Sequence, residues 1–124
     1  MLNWLLTWWN GTTLGTWIHT KLKGVFVGED VLGNVYYRTK DGRRRWVLYK
    51  NLAEASMVPP EWHGWLHHTV TEPPTVDPPV VRSWEKEHVP NLTGSPLAYR
   101  PPGSLLGAGK RLHATGDYEA WKPD

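Results

Sequence analysis

Cysteine is absent from the 124 residues. That excludes a disulfide scaffold, a Cys-ligated zinc or iron–sulfur site and a thiol nucleophile, and it fits a reducing compartment. Long apolar runs are missing too: near the start the apolar stretch is broken by Asn3, Thr7, Asn10 and Gly11, well short of the ~20 residues a spanning helix requires. No cleavable leader is expected, because basic residues should come first and the first lysine is Lys21. No Ser, His and acid arrangement and no pair of carboxylates in a dry setting is signposted. The loop from Gly28 to Asn34 has two glycines but lacks the lysine of a phosphate cradle. Enzymatic activity is therefore the least supported class, and no cofactor is expected in this chain.

Nine Trp, 11 Pro and 12 Gly are present instead. The Trp count exceeds what so small a core needs, and Trp favours interface hot spots and membrane–water boundaries, where an apolar body and one N–H both find partners. Recognition is the stronger reading. The formal net charge of +2 hides an asymmetry: residues 1–50 hold 8 Lys/Arg against 3 Asp/Glu, and residues 51–124 hold 6 against 9. The basic half invites an acidic partner.

The pattern predicts an α+β chain in three parts: an amphipathic N-terminal helix within residues 1–22, a small antiparallel meander with a short helix over 23–69, and an extended Pro-rich tail over 70–124. The helix, read over residues 2–20, places Leu2, Leu5, Leu6, Trp9 and Thr13 near one face with Trp4, Trp8 and Trp17 beside it, and Asn10-Gly11 is where it would loosen. Four Trp in this short stretch suit a helix lying on a partner or at the membrane interface. Three β-rich runs follow, Val25-Phe26-Val27, Asn34 to Tyr37 and Arg45 to Tyr49, joined by turn chemistry at Gly28 to Gly33 and at Asp41-Gly42. In the third run Trp46 and Leu48 share one face with Arg44, and Arg43, Arg45, Val47 and Tyr49 share the other, so both faces should meet something. Pro59-Pro60-Glu61 starts a short helix whose Trp62, Trp65 and Leu66 fall on one side and should pack on the meander; Gly64 within it suggests close approach of another backbone.

Residues 71–102 hold 8 of the 11 prolines and no sustained period. The tail aromatics Trp84, Tyr99, Tyr118 and Trp121 are too widely spaced for one core and read as separate anchors. About 46 residues look compact, a size that usually needs disulfides, metals or association for stability. The protein reads as a piece of a larger assembly, bound to partners of another kind and not to copies of itself.

Two motifs compete with that reading. His63 and His67 stand at i, i+4 with His68 adjacent, a spacing that can present two imidazoles to one ion, but a zinc site needs a third protein ligand, so structural or interface roles are the default. Arg43-Arg44-Arg45-Trp46 beside Tyr36, Tyr37 and Tyr49 is a footprint that single-stranded nucleic-acid binders share. The modest net charge and the lack of an aromatic RNA-binding motif favour carboxylates of a protein partner, and no nucleic acid is expected.

Several stretches resemble the accessory-subunit family of respiratory NADH:ubiquinone oxidoreductase, complex I, which also includes the assembly factor mimitin. They are Val27 to Asp30 with Gly33 to Tyr37, Arg44 to Tyr49, the specific run Val58 to His68, and the tail pieces Asn91 to Gly94 and Tyr118 to Trp121. Arg38 stands where the family often has an acidic residue. The chain is similar to alphaproteobacterial members. The resemblance implies a non-catalytic subunit on the peripheral arm near the membrane junction, on the cytoplasmic side in bacteria or the matrix side in mitochondria, or else an assembly factor. It implies core hydrophilic subunits as partners, with the flavin and iron–sulfur clusters held by them. The partner-binding candidates are Trp4, Trp8, Trp9, Trp17, Arg43, Arg44, Arg45, Trp46, Trp62, His63, Trp65, His67, Trp84, Tyr99, Tyr118 and Trp121.

Overall fold

The computed structural model describes residues 11–107, 109–111, 113–114 and 116–123. Helix α1 spans Leu14–Lys23. Thr13 caps it in an extended conformation, its hydroxyl accepting the Thr16 N–H at 3.3 Å. Gly11, at φ +77°, lies in the left-handed region just before. Those two conformations cannot continue a helix, so a helix running through residues 11–13 is corrected to one that starts at Leu14. It also ends three residues later than read, with Lys21 and Lys23 in its last turn, where cations suit the carbonyl end. The part of the reading that falls on residues 1–10, including Trp4, Trp8 and Trp9, lies outside the described residues.

Strands β1 (Val25–Glu29), β2 (Val35–Arg38) and β3 (Arg45–Leu48) form an antiparallel sheet in the order β1-β2-β3. The α+β class and the meander follow from the sequence as expected. Val35 pairs with Leu48, Tyr36 with Val47, Tyr37 with Trp46 and Arg38 with Arg45. Between β1 and β2 the register slips around Val27, because Phe26 faces Tyr37 while Gly28 faces Tyr36. This bulge re-aims the end of β1. At the β2–β3 turn Gly42 takes φ +71° and its N–H closes on the Thr39 carbonyl at 2.9 Å.

The β1–β2 turn is built around a buried carboxylate. Asp30 Oδ1 accepts the N–H groups of Leu32 and Asn34, each at 2.9 Å, and Oδ2 accepts Asn34 Nδ2 at 2.9 Å and the Tyr36 hydroxyl at 2.8 Å. Asn34 passes the link on: its Nδ2 also reaches the Met57 carbonyl at 2.9 Å, and its Oδ1 accepts the Lys50 N–H at 3.3 Å. One turn thereby fixes the end of β3 and a 3₁₀ turn at Ala55–Met57. Four donors on one carboxylate are what burying a charge demands.

Helix α2 (Pro60–Leu66) covers one face of the sheet, with Pro60 at its first position and Glu61 in its first turn. Tyr36 is fully enclosed, stacked on Trp62 at a centroid distance of 3.9 Å and edge-on to Trp65 at 6.4 Å. Val58 completes the buried set, and Val27, Val47, Tyr49 and Leu66 pack around it. Trp62 lies so close to β1 that a Cβ on Gly28 would meet its ring at 2.9 Å. Gly28 is thus a strand residue serving close approach, not part of the turn. At Gly64 the neighbour is the Val70 side chain, 3.4 Å from where a Cβ would sit, and not a foreign backbone; the Thr69 and Val70 N–H groups both return to the Gly64 carbonyl.

The chain divides into two units at Asn91/Leu92. Past α2 no helix or strand occurs among the described residues. In the first unit the strand-free segment is tied back at Ser56, whose carbonyl accepts His88 Nε2–H at 2.7 Å and whose hydroxyl accepts the Asn91 N–H at 3.1 Å. In the second, Arg111 grips the Asp117 carboxylate with both terminal nitrogens, and the Ala114 N–H adds a third bond at 2.8 Å. That grip, chiefly Arg111, holds the Asp117 pKa below the usual carboxylate range.

Candidate interaction surface

Of the arginine triplet only Arg45 lies in β3, while Arg43 and Arg44 belong to the turn before it. Arg45 turns towards α2. Its Nη1 donates to the carbonyls of Trp65 at 2.5 Å and Val70 at 2.9 Å, its Nη2 to Thr71 at 3.3 Å, and its guanidinium sits over the Trp65 ring at 4.8 Å. These bonds tie β3 to the last turn of α2 and to the segment that follows it. Burial first, then the like charge of Arg38, holds its pKa below the usual arginine value, without removing the charge. The expectation that all three arginines face a partner is therefore corrected for Arg45, which is a clamp within the fold.

Trp62 and Trp65 are corrected likewise: at 3% and 1% exposure they belong to the core and offer nothing to a partner. Trp46 is half-buried on the other face, where it stacks on Tyr37 at 6.2 Å and meets His19 of α1 edge-on at 5.2 Å. Its Nε1–H donates to the Thr20 hydroxyl at 2.9 Å, which is the polar pin that docks α1. His63 and His67 are exposed, their rings 4.2 Å apart and tilted by 32°. Among the described residues no three His, Cys, Asp or Glu side chains are grouped to share a metal ion.

Two kinds of surface remain. The outer side of α1 carries Trp17, Ile18 and Leu22, all exposed, with the Lys21 ammonium 5.9 Å from the Trp17 ring centroid. That spacing is an apolar stripe along one side of the helix. Between α1 and the β2–β3 hairpin runs a cleft with two adjoining hollows of about 580 and 720 Å³, both lined by His19, Arg43 and Arg44. Gly15, Trp46 and His68 border the first, and Lys23, Lys40 and Asp41 the second. Asp41 is the one carboxylate among these residues, and it is already engaged: the Thr39 hydroxyl bonds it, the Arg43 N–H reaches it at 3.2 Å, and the Arg43 Nε lies 3.7 Å away. The Thr39 and Arg43 bonds hold its pKa below the usual carboxylate range.

Arg43, Arg44 and Trp46 are thus brought together with His19, Lys23 and Lys40, which the sequence reading did not single out, and with His68, which it named only beside the His63 and His67 pair. No local signal links them. They meet because α1 folds back across the hairpin, a tertiary event pinned by Trp46 and Thr20. Of the remaining candidates, Trp84 is 74% exposed in the first unit, and Tyr99, Tyr118 and Trp121 are 84%, 87% and 81% exposed in the second. None of the four is drawn into a core.

The sheet and its covering helices define a small α+β fold with a basic cleft beside the β2–β3 hairpin. A model of the NADH ubiquinone oxidoreductase subunit NDUFA12 matches residues 24–123, and the chain belongs to that family. It is 47% identical over 92 residues to the bovine NADH dehydrogenase [ubiquinone] 1 alpha subcomplex subunit 12, a match that covers 63% of each chain. Against the mouse protein of the same name it is 44% identical over 104 residues, covering 73% of this chain and 69% of the mouse one. An uncharacterized protein of Rickettsia prowazekii is 45% identical over 65 residues, covering 48% of this chain and 60% of that one.

Proposed function

We propose that the chain is a non-catalytic accessory subunit of respiratory complex I that binds the hydrophilic core subunits of the peripheral arm close to the membrane. It holds their scaffold together, and so supports assembly and NADH:ubiquinone electron transfer without a redox centre of its own. The flavin and the iron–sulfur clusters belong to the partners; this chain has no Cys with which to ligate a cluster. The relatives' names support the assembly. The observation that carries the binding role is the exposure, at 74% or more, of Trp84, Tyr99, Tyr118 and Trp121, large rings whose burial on a partner favours association.

A binder that engages only the assembled scaffold stabilises it by mass action, by about 2.7 kcal/mol when its concentration is a hundredfold above Kd. The site is peripheral on the inner membrane, on the cytoplasmic side in a bacterium: no helix among the described residues is long and apolar enough to cross a bilayer, and the Trp17, Ile18 and Leu22 stripe suits a core subunit or the membrane interface. Pull-down of the tagged chain from detergent-solubilised membranes tests this. Recovery of a large NADH-oxidising complex is the expected result; recovery of the chain alone, or with nucleic acid, overturns it.

A further inference from the structure

We infer that the cleft between α1 and the β2–β3 hairpin is a docking groove for an acidic segment of a neighbouring subunit, whose carboxylates enter between its two basic walls. This deepens the proposed role and rests on it. Lys23 stands on the helix wall, with His19 beside it, and Lys40, Arg43 and Arg44 stand on the hairpin wall. All four Lys and Arg side chains are exposed. Against these four cations the lining offers one carboxylate, Asp41, which is ion-paired with Arg43 at 3.7 Å, so positive charge is in excess. Such a concentration of one sign raises the local potential met by an acidic partner and draws it in.

The shape selects the occupant. Charges on two facing walls can surround a polypeptide strand, whereas a flat bilayer reaches only the rims. The two adjoining hollows, about 580 and 720 Å³, are open along their length, which suits a segment laid across them more than a small enclosed ligand. Two guanidinium forks, Arg43 and Arg44, suit planar carboxylates in bidentate geometry. Trp46, which lines the first hollow, offers apolar contact for a side chain between the acids. His68, at the rim, is the one described non-glycine residue with positive φ, 59°. That conformation costs a residue with a Cβ roughly 1 kcal/mol, and it places an imidazole where a helix end usually has glycine.

The test uses the intact complex and a zero-length carbodiimide, which joins an amine directly to a carboxylate. Lys23 and Lys40 should couple to Asp or Glu of one other subunit, and reversal by Arg43→Glu with Arg44→Glu should lower retention of the chain at moderate salt at least tenfold while its isolated circular-dichroism melt is kept. Reversing the coupled carboxylate on the partner to Lys should restore retention. Lys23 and Lys40 that stay open to amine acetylation within the complex, or that couple only to acids of this same chain, overturn the inference. So does retention that is unchanged by the reversal, or lost on removing anionic lipid and not on adding salt. If the chain does not travel with the complex at all, it is the proposed function that fails, and the two outcomes are distinguishable.

Discussion

On one face of the sheet Tyr36 is enclosed by Trp62 and Trp65, with 3% or less of any of the three exposed. On the other, one residue along the same strand, Tyr37 stacks on Trp46 and meets Phe26 edge-on at 6.1 Å, yet Phe26 is 61% exposed and, among the described residues, α1 roofs the row in part. Both faces carry aromatics; what differs is how far the described residues cover them. Where α2 does, the rings are core, and where α1 covers only part of the row, they stay partly open.

The sharpest way to break this comparison is to empty one side and then the other. Trp65→Ala should cost about 3–5 kcal/mol, a loss a core this small cannot absorb, whereas Phe26→Ala on the open face should cost about 1 kcal/mol or less because most of its surface is already wet. Urea unfolding followed by near-ultraviolet circular dichroism gives both numbers. Equal losses would mean that the second face is as closed as the first. Next comes Asp30→Ala, which strands the Tyr36 hydroxyl, Asn34 Nδ2 and two backbone N–H groups and should cost on the order of 3 kcal/mol. Its mark in hydrogen exchange should reach Lys50 and Met57, since Asn34 carries the network there.

Gly28→Ala is a smaller probe of the closed face. The added Cβ would lie 2.7 Å from Thr75 Cγ2 and 2.9 Å from the Trp62 ring, so α2 must lift, at a cost of about 1–3 kcal/mol read from the urea midpoint. The same face sets a pH limit. Burial, and then the bond to Asp30, pushes the Tyr36 hydroxyl well above its ordinary pKa, and burial raises Tyr49 too. With the folded pKa raised, the unfolded chain loses its tyrosine proton first, so stability is intact below about pH 10 and falls above it, by about 1.4 kcal/mol per pH unit from Tyr36. Denaturant titrations at rising pH should show this slope. A flat profile would mean that Tyr36 is wetter than its enclosure implies.

How much of this was legible in the sequence follows from the range of each interaction. The meander, the Asp41-Gly42 turn and the start of α2 were readable because turn residues and side-chain alternation act over a few positions. The packing of Trp62 and Trp65 on the sheet followed from their i, i+3 spacing, but their complete burial did not, because it depends on Gly28 and Arg45 from other strands. Arg43, Arg44 and Arg45 look alike in a row; only its place in β3 and three distant carbonyls turn Arg45 inward. Asp30 was read as turn chemistry, and its reach to Met57 is invisible without the fold. The basic cleft was the least legible, since Lys23, Lys40 and His68 are far apart in the chain until α1 docks on Trp46.

The smallest expected effect separates contact from stability most cleanly. His68 follows α2, its N–H returns to the Trp65 carbonyl at 3.1 Å, and its backbone takes φ 59°. Glycine holds that conformation without a Cβ penalty, although it also gains freedom in the unfolded chain, so His68→Gly should stabilise the isolated protein by a net of about 0.5 kcal/mol. If the residue served the fold alone, the substitution would be an improvement everywhere. Because the imidazole stands at the rim of the cleft, the variant should instead melt slightly higher on its own and yet be retained less well by the complex under a salt wash. A gain in stability with undiminished retention would remove His68 from the docking groove and leave the strained turn as a feature of the helix end only.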